Sequence, residues 1–466
     1  MKIRRFLPII VLALGFSACN KPAGELVGAT IAGPMGDVEP YGMRYIRKGS
    51  FLMGANEQSA LFSQTDNNLM VSVNAFWMDE TEITNSEYRQ FVHWVRDSIA
   101  YRGLIGDDTT SEYAKKPRKG ELDPDIESSK IPINWSMPIP WEKRFDAEAY
   151  AEIADALNPL FYDGGHGGLR TTELRYYYSW KNIAEAVDPS KRFNVNKGGY
   201  PKGATVRVDS FWIDQEDGLI HDSTIIRTLR EPNDLNTNAI ICVYPDTLVW
   251  ARDFKYSYNE PLLDGYFALP SYSEYPVVGV TWKQAHAFCH WRTQLLRNEG
   301  KQMAQAYRLP TEAEWEFAAR GGIRAAMYPW GNKYARDASG CFLANFKPYR
   351  GSYSDDTGTT TMAVAGFAPN DFGLYDMAGN VAEWTASSYS NKSNLAVHDM
   401  NPEFPYIARK DDPDMLKRKV VKGGSWKDIS YYLQCGVRSY EYQDESRSYI
   451  GFRCVRSAMG KQYGSK

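Results

Sequence analysis

The chain has 466 residues, enough to bury a large core and to form two domains. Its formal net charge is only −3, so no overall basic field directs it to nucleic acid or to an anionic membrane. Aromatic residues make up 14% of the chain, and it contains 37 glycines and 24 prolines. This composition favours a loop-rich fold held together by aromatic packing over a helical bundle.

The N-terminus has the pattern of an export signal. Basic residues at Lys2, Arg4 and Arg5 precede an apolar run over 6–16, which is shorter than the roughly 20 residues that span a bilayer. The small residues that follow end at Cys19, as in a bacterial lipoprotein signal. We therefore expect a signal peptide over 1–18, a lipid on Cys19 and a tether over 19–40. The alternative is an ordinary secretory peptide with a chance cysteine. If Cys19 carries a lipid, we expect the protein at the periplasmic face of the outer membrane.

Local patterns predict several helices and strands. The segment 41–54 indicates two short strands, and alternation over 71–75 indicates a third. Capping boxes predict three helix starts, at Thr84 with Glu87, Thr281 with Gln284, and Thr311 with Glu314. The sequence between them predicts helical segments over 147–157 and 171–186 and a strand over 205–213.

A stretch over 370–384 combines acids, amides and turn glycines. The side chains of Asp376 and Glu383 and the backbone carbonyls of Gly379 and Val381 can face one hard cation. Oxygen ligands supplied from a turn are typical of calcium sites. The stretch therefore predicts a Ca²⁺ site, and the alternative is a tight turn with solvated acids.

Other motifs give little support for catalysis. No nucleophile elbow, phosphate-binding loop or dinucleotide fingerprint is present, and the glycine-rich segment 164–168 lacks the residues of a phosphate loop. His286 and His290 lie one helical turn apart, but no third ligand is near them in sequence, so zinc is not expected.

Four segments, in this order, carry a family resemblance. They are RLPTEAEWEFAARGG (308–322), GLYDMAGNVAEW (373–384), VVKGGSW (420–426) and GFRC (451–454). Together they resemble the formylglycine-generating enzyme, or sulfatase-modifying factor, family. The resemblance implies one α+β domain over 41–460, C-type-lectin-like, with short helices, small sheets and an insertion at about 100–245.

Four further segments indicate a particular subgroup of the family: 40–46, 49–54, 79–92 and 245–261. They resemble the GldK/PorK lipoproteins of gliding motility and type IX secretion. The insertion is then either a second subdomain or a surface for partners. Its cluster YYYSW (176–180) is either an interface anchor or part of the insertion's own core.

The resemblance also bears on the metals. The family's enzymes hold copper with two cysteines just after the GGS segment. Here Asp428 stands at the first position, and 429–434 contain no cysteine. A carboxylate does not replace a thiolate toward Cu(I), so we expect no copper and no catalysis. Transfer of the family's calcium pattern adds a second structural Ca²⁺ site, with side chains of Asn345 and Asp356 and carbonyls of Phe346 and Gly358.

The family pattern pairs Cys289 with Cys454 in a disulfide. The family partner of Cys435 would stand at Ala319, so that second bridge is missing. Five cysteines remain once Cys19 is removed, and because five is an odd number, at least one thiol is unpaired within the chain. Cys435 can pair with Cys341 or with Cys242, or stay free.

The resemblance implies a non-catalytic structural lipoprotein of the type IX secretion or gliding machinery. Such a protein forms a homo-oligomeric periplasmic ring with a GldN/PorN-type partner at the outer membrane, with no role for nucleic acid. Two alternatives stay open. One is a copper-independent or residual formylglycine-type modifying enzyme, and the other is a module that binds glycan or cell-wall polymer.

Overall fold

The computed structural model describes residues 39–54, 68–116, 127–146, 148–194, 198–213, 220–253, 265–298, 305–348, 358–391 and 396–459. The predicted signal peptide, Cys19, most of the tether and Asp356 lie outside these residues. Two compact units are distinguished, and every element below belongs to the unit Pro40–Ser457. Within the described ranges no helix is both long and apolar enough to cross a membrane.

The strands are β1 (Met43–Ile46), β2 (Gly49–Met53), β3 (Leu69–Val73), β4 (Phe76–Asp79), β5 (Arg175–Lys181), β6 (Thr205–Ile213), β7 (Ile220–Thr228), β8 (Asn236–Cys242), β9 (Tyr307–Arg308), β10 (Ala382–Ser388), β11 (Arg418–Lys422), β12 (Ser439–Tyr442), β13 (Ile450–Gly451) and β14 (Val455–Ser457). The helices are α1 (Asn85–Ile105), α2 (Ala151–Leu157), α3 (Ile183–Val187), α4 (Val249–Asp253), α5 (Trp282–Asn298) and α6 (Glu312–Ala319). Short 3₁₀ turns connect many of them.

Two four-stranded sheets form the body of the unit. One has the order β1-β4-β14-β9 and is antiparallel throughout. The other has the order β12-β11-β10-β13, in which only the β10–β13 pair is parallel. Two-stranded antiparallel pairs form from β2 with β3, β5 with β8, and β6 with β7. Small sheets joined by short helices are the mixed α+β architecture expected from the sequence.

All three predicted capping boxes are confirmed. At α1 the Thr84 hydroxyl accepts from the backbone N–H of Glu87, and the Glu87 carboxylate accepts from the N–H of Thr84. Thr311 and Glu314 make the same reciprocal pair at α6. These contacts satisfy N–H groups that have no partner inside the first helical turn.

The core lies where helices pack onto the first sheet. Trp315 of α6 is buried together with Phe76 and Met78 of β4. A second aromatic layer joins α1 to α5, because Tyr88 stacks on Phe288 with ring centroids 5.6 Å apart. Aromatic rings therefore hold the short elements together, as the composition predicts.

Residues 171–186 differ from the prediction. We predicted a helical segment, but the structure forms β5, with only a 3₁₀ turn before it and the short helix α3 after it. Tyr176 and Tyr178 point inward and are buried, whereas Tyr177 between them is 60% exposed. This period of two and the β preference of aromatic residues favour a strand. The predicted strand over 205–213 is confirmed, and the predicted helix over 147–157 begins only at Ala151.

Candidate functional site

The stretch over 370–384 forms a tight turn that leads into β10. Asp376, Gly379 and Asn380 all have positive φ, which gives the backbone an unusual local curvature. A side chain on Gly379 would clash with the carbonyl oxygen of Asn345. The N–H of Gly379 donates to the carbonyl of Gly423, and that of Asn380 to Asn345. The turn therefore joins two loops that are distant in sequence.

Glu383 is buried in an ion pair. Its oxygens lie 2.7–2.9 Å from Nε and Nη2 of Arg453, and Oε2 also accepts a 2.8 Å hydrogen bond from Nε1 of Trp315. Both members of the pair are buried. The structure thus pairs the Glu383 carboxylate with Arg453, and the role of Glu383 as a cation ligand beside Asp376 stays a prediction.

A third acid, Glu82, joins this region and was missed by the sequence analysis. It is buried, and its oxygens accept from the N–H of Val381 at 3.1 Å and from Nδ2 of Asn380 at 3.0 Å. The sequence signal was present, because Glu82 lies in the segment 79–92 that carries the family resemblance. Its position almost 300 residues before the turn gave no indication that it belongs there.

The site carries more negative than positive charge. Glu82, Asp376 and Glu383 share Arg453 as the cation that acts on them in the described part of the chain. Burial raises the pKa of Glu82 well above its ordinary value, and the neighbouring carboxylates of Asp376 and Glu383 raise it further. Burial also raises the pKa of Asp376 to about 6. Such an environment favours either a bound proton or an added cation.

The second predicted cation site adjoins the first. Asn345 is buried, its Nδ2 donates to the carbonyl of Thr360 at 2.8 Å, and its Oδ1 has no hydrogen-bond partner among the described residues. A buried amide oxygen without a donor is an energetic cost that a cation would remove. Nδ2 of Asn345 also approaches Oδ1 of Asn380, which links this site to Glu82.

These donors fit a hard cation in part. Asn345, with the carbonyls of Phe346 and Gly358, would supply oxygen ligands of the kind that Ca²⁺ prefers. The ligand expected from Asp356 lies outside the described residues. No cluster of three or more His, Cys, Asp or Glu with metal-binding geometry occurs in the ranges that the structure covers. Calcium binding therefore stays a prediction, with carbonyl and amide oxygens as its main supports.

Asp428, which the resemblance places at the first copper cysteine, is held by hydrogen bonds. Its Oδ2 accepts from Oγ of Ser425 at 2.6 Å, and its carbonyl accepts from the N–H of Lys347. The next cysteine in sequence, Cys435, is buried, and burial raises the pKa of its thiol to about 12. Leu433 between them is also buried. This segment offers no accessible thiolate.

Cys289 and Cys454 lie side by side, with their Sγ atoms 3.4 Å apart, and both are buried. They are placed as two thiols in contact, because a disulfide bond is about 2.05 Å long. The predicted pair is thus in the right place, and the bond itself stays a prediction. Cys341 is exposed, and Cys242 donates to the carbonyl of Thr171.

The two histidines on α5 serve packing. The His286 ring stacks on Trp282 at 4.9 Å, and its Nδ1 lies 3.2 Å from the Tyr178 hydroxyl. Burial lowers the pKa of His286 well below its ordinary value, and lowers that of His290 to about 4. Both rings are therefore neutral at physiological pH and enclosed by aromatic side chains.

Comparison with known proteins identifies the family to which the chain belongs. The model of the sulfatase-modifying factor enzyme 1-like domain matches residues 34–211 and 257–458. The "inactive C-alpha-formylglycine-generating enzyme 2" of Bos taurus is 36% identical over 191 residues, which are 40% of this chain and 51% of the relative. The "formylglycine-generating enzyme" of Mus musculus is also 36% identical, over 39% of this chain and 44% of its own.

A third relative has a different kind of name. The "serine/threonine-protein kinase pkn1" of Chlamydia pneumoniae is 36% identical over 188 residues, 40% of this chain and 25% of the relative. This chain thus spans about half the length, or less, of the curated relatives that it matches. The relatives carry names of active and of inactive proteins, so the activity of this chain has to be argued from its own residues.

Proposed function

Because this chain belongs to the sulfatase-modifying factor enzyme 1-like domain family, we propose that it is a non-catalytic, structural member of it. One observation carries the proposal: Asp428 stands where the family's enzymes place their first copper cysteine. Cu(I) is a soft ion that selects thiolates, and a carboxylate is a hard ligand. Cys435, the nearest thiol in sequence, is buried with a raised pKa, and such a thiol neither binds metal nor reacts.

The packing beside Asp428 supports the same conclusion. The Trp426 ring, two residues before Asp428, stacks on Trp250 of α4 with centroids 6.0 Å apart. Both rings are buried in one apolar cluster with Tyr266. Trp250 belongs to the segment 245–261, which resembles the GldK/PorK lipoproteins and not the family at large. The distinguishing segment thus contributes to a packed core next to the altered position.

A more specific proposal concerns the cellular location of the protein and its binding partners. We infer a lipoprotein anchored through Cys19 on the periplasmic side of the outer membrane, in the type IX secretion or gliding machinery. Its partner would be a GldN/PorN-type periplasmic protein, with which it forms a ring. The four segments that resemble GldK/PorK support this role, as does the lipoprotein pattern of the N-terminus.

The two alternatives are weaker. A residual modifying enzyme of this family's kind would need a thiolate pair, and Asp428 with the cysteine-free segment 429–434 does not supply one. A glycan-binding module would need an exposed aromatic surface, and in the cluster over 176–180 the side chains of Tyr176 and Tyr178 are buried. Structural Ca²⁺ is part of the proposal, since it would brace the turn without taking part in chemistry.

The first experiment tests the absence of catalysis. The purified protein is incubated with saturating copper and a cysteine-containing peptide, while oxygen uptake and the peptide's mass are followed. An active formylglycine-generating enzyme serves as the positive control. We expect no oxygen uptake and no formylglycine. Turnover at a rate comparable to that of the control would overturn the proposal.

The second experiment tests place and partners. The native protein is extracted with mild detergent, sized, and the co-purifying proteins are identified by mass spectrometry. A Cys19→Ala variant is the matched control, because it lacks the lipid but keeps the domain. We expect the wild type in a large membrane complex and the variant outside the membrane fraction. A lone wild-type monomer under conditions that preserve membrane complexes would contradict the assembly.

A further inference from the structure

One arginine on the second sheet has no carboxylate partner in the described part of the chain. Arg418 begins β11, and its guanidinium carbon lies 4.4 Å from the centroid of the Tyr440 ring and 5.7 Å from that of Tyr442. Its Nη2 is 3.5 Å from the Tyr442 hydroxyl, and its Nε is buried without a hydrogen-bond partner among the described residues. The groups that act on its charge are three tyrosines, of which Tyr389 is the third.

A neighbouring arginine shows the contrast. Arg438 lies 5.2 Å from the centroid of the Tyr389 ring, and its charge is met by Glu312, which accepts a 2.9 Å hydrogen bond from Nη2. Arg418 is instead held by ring packing and one long contact with a hydroxyl, and it stays partly exposed. A guanidinium fixed by packing loses little conformational freedom when it binds, and its planar fork matches a carboxylate.

The tyrosines beside Arg418 lie at an open edge, because β12 is the end strand of its sheet among the described strands. The N–H of Gln443 donates to the carbonyl of Lys417, so these two residues form a hydrogen-bonded pair across the strands. On the other side of β11, the carbonyl of Arg418 accepts from the N–H of Tyr389. Backbone groups of successive residues alternate in direction along an antiparallel ladder. Tyr440 therefore directs its N–H and C=O away from β11.

The open edge is one residue wide. The N–H of Tyr442 donates to Oε1 of Glu441 at 3.0 Å, and its carbonyl accepts from the N–H of Glu445 at 3.0 Å. These bonds close the edge at Tyr442. Tyr440 is 40% exposed and lies on the same face as Arg418, because Arg418 is directly opposite Tyr442 in the register and side chains two residues apart share a face. The outward backbone groups and the cation thus adjoin each other.

We propose that Arg418 and the edge of β12 at Tyr440 bind an extended acidic segment of a partner protein. A carboxylate of that segment would contact the guanidinium, and its backbone would hydrogen-bond to Tyr440. The two features select this occupant together, since the guanidinium requires an anion and the edge requires an extended backbone. The inference rests on the structural role proposed above and gives that role a contact for a partner.

The main test uses a defined peptide and the full-length protein in mild detergent. The probe is trifluoroacetyl-Thr-Val-Glu-Val-Thr-amide, whose binding is followed by fluorine NMR relaxation, and its twin carries Gln in place of Glu. We expect the Glu peptide to bind at least about tenfold more tightly than the twin, and Arg418→Met to abolish the difference. An unchanged melting temperature establishes that this variant folds. Equal binding of the two peptides, or binding of neither to the wild type, overturns the inference.

The matched control is Arg336→Met. Arg336 is also exposed and its guanidinium carbon lies 3.9 Å from the centroid of the Phe342 ring, but it lies outside the second sheet. This variant should keep the full preference for the Glu peptide. Loss of the preference in Arg336→Met as well as in Arg418→Met would show a general charge effect and would overturn the assignment to Arg418.

Methylated peptides test the contact at the strand edge. Two further Glu peptides carry N-methyl groups on one or the other set of alternate amides, so each blocks one side of an extended strand. One of them should lose binding and the other should keep it. The same result for both would exclude backbone pairing at β12. Inorganic phosphate that binds through Arg418 while neither unmethylated peptide binds would identify a small-anion site and also overturn the inference.

The outcomes separate this inference from the proposed function. If the peptide preference is absent while the native protein still co-purifies with an envelope partner, this contact is refuted and the structural role stands. Copper-dependent turnover by a protein that shows the full peptide preference would refute the structural role and leave the contact standing.

Discussion

Replacement of Arg453 by methionine should be strongly destabilising. The guanidinium makes three close contacts with the Glu383 carboxylate and donates to the carbonyls of Asp79, Glu80 and Tyr375. Methionine has a comparable length and no charge, so it would keep much of the packing. The substitution would leave the buried Glu383 carboxylate without its cation, and would remove the same positive charge from the neighbouring acids Glu82 and Asp376.

The size of the effect follows from the buried charge. Removal of one partner from a buried ion pair costs about 3–5 kcal/mol, because the other charge is left uncompensated. At about 2 °C per kcal/mol for a large domain, the melting temperature should fall by about 6–10 °C. The control is Arg44→Met, which breaks a half-exposed pair with Glu80 and should cost less than about 1 kcal/mol.

The loss should also depend on pH. Glu82 and Asp376 have raised pKa values in the folded protein, and removal of Arg453 raises them further. The ionised forms of these acids carry the penalty, so the loss of stability is larger at pH 8 and shrinks as the pH falls and the acids take up protons. Thermal unfolding at pH 8 and pH 5 in a chelator measures both effects. A variant within about 2 °C of the wild type at pH 8, or a deficit that grows toward pH 5, would refute the reasoning.

Three further predictions concern the same turn and the thiols. Burial raises the pKa of Asp376 to about 6, so its ionisation lowers the folding stability as the pH rises from about 4 to about 6. In the presence of a chelator at pH 7.5, Asp376→Asn should therefore stabilise the protein by up to about 3 kcal/mol. Added Ca²⁺ should raise the melting temperature of the wild type more than that of this variant, and equal shifts would count against Asp376 as a ligand. Gly379→Ala should cost at least about 2 kcal/mol more than Gly340→Ala in urea unfolding, since both have positive φ but only Gly379 would clash. Maleimide at pH 7.5 should modify Cys341 in the native protein and leave Cys435 unmodified until unfolding, as peptide mass mapping can verify.

Local sequence patterns were sufficient for the helix starts. A capping box involves residues three apart, so Thr84 with Glu87 and Thr311 with Glu314 form their contacts whatever lies around them. The strand over 205–213 was likewise predictable, because its β-branched and aromatic residues favour an extended backbone. Motif spacing identified the family, and the resemblance placed Asp428 at the position of a copper cysteine. The segment 171–186 was mispredicted, since Tyr176 and Tyr178 are fixed as strand residues by their packing against α5.

The sequence alone showed that an aspartate, Asp428, stands where the resemblance places a copper cysteine, and it predicted the turn that presents Asp376. Only the tertiary structure decided how the charges are paired. It pairs Glu383 with Arg453, and it brings Glu82, from near the start of the domain's sequence, to the turn. The physical reason is that an ion pair depends on distance and burial in three dimensions. Residues separated by 70 or 299 positions have no local signal that they will meet.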